Sequence, residues 1–154
     1  MTIQSRQILE EQRWFPDVQC EGQVAPGAAD AAWAASIATD PVGATWGPGV
    51  MRAPTRTLWG WNAAAAANIT VPTLVMAGQF DGLLASMNLL YADLGSSNKV
   101  LLEVACASHF YTWESQHPVV REASKQWLLH GSIVGVRNGM LRADEAGKFN
   151  KVAE

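Results

Sequence analysis

The chain has 154 residues, of which 49% are apolar and 16% charged, with a net charge of −3, enough for one domain with a core but hardly for two. The chain has 11 basic and 14 acidic residues, and the basic residues form no run. Nucleic acid is therefore not an expected partner. The apolar stretches are shorter than the roughly 20 residues of a membrane-spanning helix, and the polar, acidic N-terminus differs from a signal peptide. We therefore expect a cytoplasmic protein that does not bind membranes.

The first 68 residues are predicted to be helical and rich in loops, without a strand. The stretch SRQILEEQR predicts a helix that ends at Pro16. A second helix is predicted from Pro26 to Ala38, where the proline suits a first helical turn. After turn-rich, proline-rich segments, a short alanine helix is expected to begin at Asn62 and to end at Asn68.

From Ile69 the pattern changes to strand, helix, strand, helix. Residues 73–77 and 99–104 predict strands, and residues 83–94 predict a helix between them. A last helix opens at His117-Pro118 and closes at Gly131. Two strands joined by a crossover helix are expected to be parallel neighbours, so the fold class is α/β with a parallel βαβα unit.

The remaining residues, 132–154, are predicted to be a tail that contains a small β-hairpin. Asn138-Gly139 is the strongest short hairpin signal, because both residues readily adopt the positive φ angles of a two-residue turn. The chain thus divides into a helical segment at 1–68, the βαβα unit at 69–131 and the tail.

Asp81 and His109 follow the two predicted strands directly. Ligands bind beyond the carboxyl ends of parallel strands, and a carboxylate beside an imidazole lets the ring act as a general base and then as a general acid. However, an Asp before Gly more often forms a turn, and a lone His at a strand end more often has a structural hydrogen bond. The residue types alone favour the structural interpretation.

The two cysteines, Cys20 and Cys106, form neither a disulfide framework nor a metal-ligand pattern, and we expect unpaired thiols, buried or spare. The three histidines, His109, His117 and His130, show no metal-binding spacing. We therefore expect neither a metal nor another cofactor.

Residues 57–129 resemble the last third of an α/β-hydrolase. ITVPTLVMAGQFDG is similar to the strand that ends in the catalytic acid, and VACASHFYTWESQHPVVREASKQWL to the last strand, the catalytic histidine and the final helix. The resemblance rests on a proline-led strand, Gly78-x-x-Asp81, a 28-residue interval to His109-Phe110, and then Glu114 and Pro118. It implies that Asp81 is the triad acid and His109 the triad base, and that the preceding helical stretch is a cap over the active site.

The half of the hydrolase that bears the nucleophile is missing from this pattern. No G-x-S-x-G elbow stands upstream of the cap-like segment. The serines that we considered do not fit a strained strand-to-helix turn: Ser36, Ser86, Ser96, Ser97 and Ser108. Cys106 lies three residues before His109 and is an alternative thiol nucleophile, although we expect a residue near that strand end to be buried and inert.

The tryptophans also have two interpretations. Trp46, Trp59 and Trp61 would line an apolar substrate pocket, or they would anchor the cap by packing. Trp127 is expected in the core, whereas for Trp113, close to His109, both interpretations stay open.

Two functions follow from the sequence. The first is a hydrolase of carboxylic esters or lactones that uses Asp81 and His109, with a nucleophile from a complementary N-terminal half, from an unrecognised residue or from water. The second is a non-catalytic, truncated half-domain that folds by oligomerisation. A strand edge at residues 73–77 would be left open in either case, so we expect a homo-oligomer or a pairing with the missing half.

Overall fold

The computed structural model describes residues 2–40, 42, 45, 49–52 and 62–152. Helices and strands are numbered in chain order. The strands are β1 (Thr2–Gln4), β2 (Val50–Arg52), β3 (Thr73–Gly78), β4 (Lys99–Val104), β5 (Gly139–Ala143) and β6 (Phe149–Lys151). The helices are α1 (Arg6–Leu9), α2 (Ala28–Thr39), α3 (Ala63–Ala67), α4 (Leu84–Asp93) and α5 (His117–His130).

The predicted βαβα unit is confirmed. β3 and β4 are parallel neighbours, paired from Thr73 opposite Lys99 to Gly78 opposite Val104, and α4 crosses between them. α5 begins at His117, as predicted. The sheet has the order β3-β4-β5-β6, so β3 lies at one of its edges.

The side chains of β4 alternate between two layers of helices. Val100, Leu102 and Val104 are buried in a cluster that includes residues of α5. Leu101 points to the other face and packs with Leu94, beside α4. Because each buried aliphatic side chain contributes roughly 1.5–3 kcal/mol, this central strand with two covered faces supplies much of the core.

The C-terminal segment corrects the prediction of a hairpin at Asn138-Gly139. Gly139 begins β5, which runs parallel to β4, and the hairpin instead joins β5 to β6. Its turn is stabilised by Asp144, whose Oδ1 accepts hydrogen bonds from the amides of Ala146 (3.1 Å) and Lys148 (2.9 Å). Pairing with a buried strand thus outweighed the local turn signal, and the predicted tail adds two strands to the main sheet.

The N-terminal third contains a strand pair where we predicted none. β1 pairs antiparallel with β2, with Ile3 opposite Met51. Strands of three residues are too short for an alternating pattern to be read from the sequence. Only the contact between distant segments identifies them.

The predicted helices of this region are present with small shifts in their ends. α1 begins after Ser5, whose hydroxyl caps it, and its continuation ends in a 3-10 turn that contains Pro16. α2 begins after Gly27, which has a φ of 79°, rather than at Pro26. Asn62 caps α3, as predicted.

Cys20 and Cys106 form a disulfide, which corrects the prediction of two unpaired thiols. Their Cα atoms are 5.6 Å apart across 86 residues of sequence. The bond ties the N-terminal helical segment to the loop after β4. Two isolated cysteines carry no signal of such a pairing, because it depends on a fold that brings remote segments together.

Gly78 allows the loops after β3 and β4 to touch. A Cβ atom at this position would lie 2.3 Å from the backbone oxygen of Ala107 and 2.4 Å from that of Ser108. Neither oxygen can move without displacing the loop that leads to His109.

We expect Gly78→Ala to lower the free energy of unfolding by about 1–3 kcal/mol or more, because the new methyl group overlaps backbone atoms. Urea denaturation followed by tryptophan fluorescence measures the change. Gly82→Ala is the matched control, since a Cβ there meets nothing within 4 Å. Equal stability of the two variants would contradict the close approach.

Loss of the disulfide should lower the free energy of unfolding by about 4 kcal/mol, as expected for a crosslink that closes a long loop in the unfolded chain. The comparison is between the oxidised protein and the double variant Cys20→Ser/Cys106→Ser, both in urea. Thiol titration of the unfolded, unreduced protein should find no free thiol. Two reactive thiols would show that the bond is absent.

Candidate active site

Asp81 and His109 reach the same edge of the sheet because the strands that precede them are parallel neighbours. The two loops are also joined directly, since the amide of Phe80 donates to the backbone oxygen of Ala107 at 2.9 Å. The carboxyl ends of parallel strands form the crevice in which ligands bind in open α/β sheets. The position of both residues is therefore the one predicted.

The side chains of Asp81 and His109 lie within hydrogen-bond distance, which confirms the geometry predicted for the pair. Asp81 Oδ2 is 3.0 Å from His109 Nδ1, and Asp81 Oδ1 accepts from the Leu83 amide at 2.8 Å. The Asp81 side chain is 4% exposed and the His109 side chain 50% exposed. A carboxylate fixed in this way orients the ring with Nδ1–H towards it, which leaves the Nε2 lone pair to accept a proton.

A cavity of about 520 Å³ lies beside this pair, a size typical of small-molecule sites. Residues from the N-terminal segment and from the two loops line it: Gln4, Leu9, Gln12, Arg13, Asp17, Ser36, Asp81, Gly82, Leu83, His109 and Phe110. A smaller cavity of about 360 Å³ lies beside the disulfide and includes neither member of the pair. The larger cavity is therefore the candidate substrate site.

Tyr111 lies in the electrostatic field of this site. Burial, and secondly the negative charge of Asp81, raise the pKa of Tyr111 above its ordinary value of 10.0. A tyrosine is protonated at neutral pH even at its ordinary pKa, and the upward shift of the Tyr111 pKa extends this neutral range to more alkaline pH.

A buried glutamate fixes the loop that carries His109. Glu114 is 1% exposed. Its carboxylate accepts hydrogen bonds from the amide of Ser108 at 2.8 Å and from the Ser108 hydroxyl. The indole of Trp14 donates to it at 2.8 Å and the side-chain amide of Gln23 at 3.2 Å. Glu114 thus links the N-terminal segment to the residue directly before His109.

Aromatic contacts also connect the N-terminal segment to the loop that carries His109. The ring of Phe110 stacks on Trp14, with centroids 5.0 Å apart and an interplanar angle of 19°. It also meets the His109 ring edge to face, at 5.7 Å and 85°. Trp14 was not predicted as a site residue, although a tryptophan directly after the polar run EEQR is a signal of a buried anchor.

None of the candidate nucleophiles named from the sequence is activated beside His109. Ser108 is fully buried and bonded to Glu114, and Cys106 is in the disulfide. Ser36 does line the cavity, but its hydroxyl donates to the backbone oxygen of Ala32 at 2.8 Å within α2. Ser86 belongs to α4, and Ser96 and Ser97 lie between α4 and β4, at the other end of the strands.

The predictions for the tryptophans have different outcomes. Trp127 packs against the core cluster, as predicted. Trp113 is 40% exposed and does not line the cavity beside His109. Trp46, Trp59 and Trp61, with the apolar pocket predicted from them, fall outside the described residues.

We expect Glu114→Gln to lower the free energy of unfolding by about 2 kcal/mol or more. A glutamine amide has one acceptor oxygen, so buried donors now facing its NH₂ group lose their partner, at about 1–3 kcal/mol each. Glu122→Gln on the exposed face of α5 is the control, with an expected change within about 0.5 kcal/mol. Chemical denaturation checks both, and equal effects would contradict the network.

Comparison with known proteins assigns no family to this chain. Among the residues that the structure describes, no helix has the length and apolarity needed to cross a membrane, and no group of three or more His, Cys, Asp or Glu side chains is arranged to hold a metal ion. No protein-family model matches the chain, and neither a curated protein nor a solved structure matches it. What stands is an α/β chain with a mostly parallel, open four-stranded sheet and a carboxylate–imidazole pair at its rim.

Proposed function

We propose that the chain is a hydrolase of carboxylic esters or lactones in which His109, oriented by Asp81, is the general base. The observation that carries this proposal is the 3.0 Å contact between Asp81 Oδ2 and His109 Nδ1, beside a cavity of about 520 Å³. The carboxylate is buried and the imidazole half-exposed, which leaves the ring accessible to a substrate for proton transfer.

Water is the nucleophile that this proposal uses. His109 Nε2 takes a proton from a water molecule as its oxygen attacks the carbonyl carbon, and Asp81 stabilises the imidazolium that forms. The C–O bond of the tetrahedral intermediate then breaks, and the imidazolium returns the proton to the leaving oxygen. An ester gives an acid and an alcohol, and a lactone gives a hydroxy acid.

The proposed reaction is slow for ordinary esters. A general base contributes about 10²–10⁴-fold, whereas a bound nucleophile and an oxyanion hole contribute much more. We therefore expect turnover of activated esters and of strained lactones.

We also propose that the chain assembles with a partner and that it works in an oxidising compartment. Among the strands of the described residues, β3 lies at a sheet edge, and an exposed edge favours a homo-oligomer or pairing with a complementary N-terminal half. Disulfides persist mainly in oxidising compartments, so the Cys20–Cys106 bond favours such a compartment over the cytoplasm expected from the N-terminus.

The test is hydrolysis of p-nitrophenyl acetate and of small lactones by the purified chain. We expect His109→Ala to abolish the rate above background and Asp81→Asn to lower it by orders of magnitude, because the ring loses its tautomer and its charge partner. His130→Ala, an exposed histidine at the end of α5, is the matched control and should keep the full rate.

Two outcomes separate the alternatives. A wild-type rate no higher than that of His109→Ala would support the non-catalytic half-domain. Covalent labelling by a fluorophosphonate, lost in Ser36→Ala, would show that the chain carries its own nucleophile and would overturn the water mechanism.

A further inference from the structure

We infer that the cavity beside His109 takes an ester or lactone that also bears a carboxylate, and that Arg13 binds this carboxylate. The inference rests on the proposed function, since it specifies the substrate of the same site. Arg13 lines the cavity together with Asp81 and His109, and it comes from the N-terminal segment that Glu114 and the disulfide hold in place.

The guanidinium of Arg13 is available to a ligand. In the described parts of the chain no carboxylate lies within ion-pair distance of it, and the ion pairs involve other cations. Arg6, in the same helical segment, is paired with both Glu10 and Asp30. A guanidinium without an ion-pair partner among the described residues presents a planar fork of donors that matches a carboxylate.

The other charges of the cavity favour a single negative charge on the ligand. Both oxygens of Asp81 already accept hydrogen bonds, from Leu83 and from His109. Asp17 also lines the cavity and would repel a phosphate dianion more strongly than a carboxylate. Gln4 and Gln12 line the same cavity, and a glutamine side chain offers neutral donors.

The rest of the lining fits a short apolar chain between the two polar ends of the ligand. Leu9, Leu83 and Phe110 lie in the wall, and apolar lining with a few oriented polar groups is typical of small-molecule sites. Half-esters of dicarboxylic acids and lactones with a carboxylate substituent combine these features.

The experiment compares monomethyl glutarate, which carries one carboxylate, with dimethyl glutarate, its neutral match. Calorimetry should show tighter binding of the half-ester. Arg13→Gln should weaken half-ester binding about tenfold or more while leaving the diester unaffected. Asp17→Asn should strengthen half-ester binding severalfold, because a repulsive charge is removed. Arg121→Gln, on the exposed face of α5, is the control and should change neither.

The experiment distinguishes failure of the carboxylate site from failure of the proposed hydrolase activity. Equal binding of the two esters, or half-ester binding that survives in Arg13→Gln, overturns the carboxylate site even where His109-dependent hydrolysis is found. Inorganic phosphate that binds as tightly as the half-ester overturns the choice of carboxylate. Arg13-dependent binding without His109-dependent turnover upholds the carboxylate site and overturns the hydrolase instead.

Discussion

Removing the Glu114 carboxylate from water costs free energy that only a set of well-placed donors offsets. Trp14, Gln23 and Ser108 supply those donors, all of them uncharged, and they come from segments far apart in sequence. Displacing any one of these segments would leave a buried charge short of partners. The N-terminal segment, the loop after β4 and the start of α5 are therefore held in one arrangement. His109 directly follows Ser108, which donates two hydrogen bonds to Glu114.

Three further contacts act on the same loops. The Cys20–Cys106 disulfide crosses the same boundary, Trp14 stacks on Phe110, and the absent side chain of Gly78 lets the backbone oxygens of Ala107 and Ser108 approach β3. The cavity wall from the N-terminal segment and the imidazole from the sheet rim are consequently fixed relative to each other. A site assembled from remote parts of the chain needs this rigidity, because small displacements of reacting groups cost large factors in rate.

Local patterns in the sequence predicted the parts of the fold that local forces determine. Caps such as Asn62, the βαβα unit, and the meeting of Asp81 with His109 follow from residue preferences and from the geometry of parallel strands. The β1–β2 pair, the disulfide and the donors around Glu114 depend on contacts between segments up to 100 residues apart, for which no local pattern exists. The prediction of a turn at Asn138-Gly139 was wrong for the same reason, since Gly139 pairs with β4 instead.

The proposed chemistry makes substrate placement the main source of rate enhancement. In the proposed reaction, a hydrogen bond to His109 orders the attacking water, and the substrate's other contacts order the carbonyl. A carboxylate on Arg13 and an apolar chain against Phe110, both in the cavity wall, would provide two such contacts away from the reacting atoms. Binding energy from the non-reacting part of a substrate lowers the barrier in this way. Asp81 and the N-terminal wall would then act together, the carboxylate orienting the base and the wall orienting the carbonyl that the water attacks.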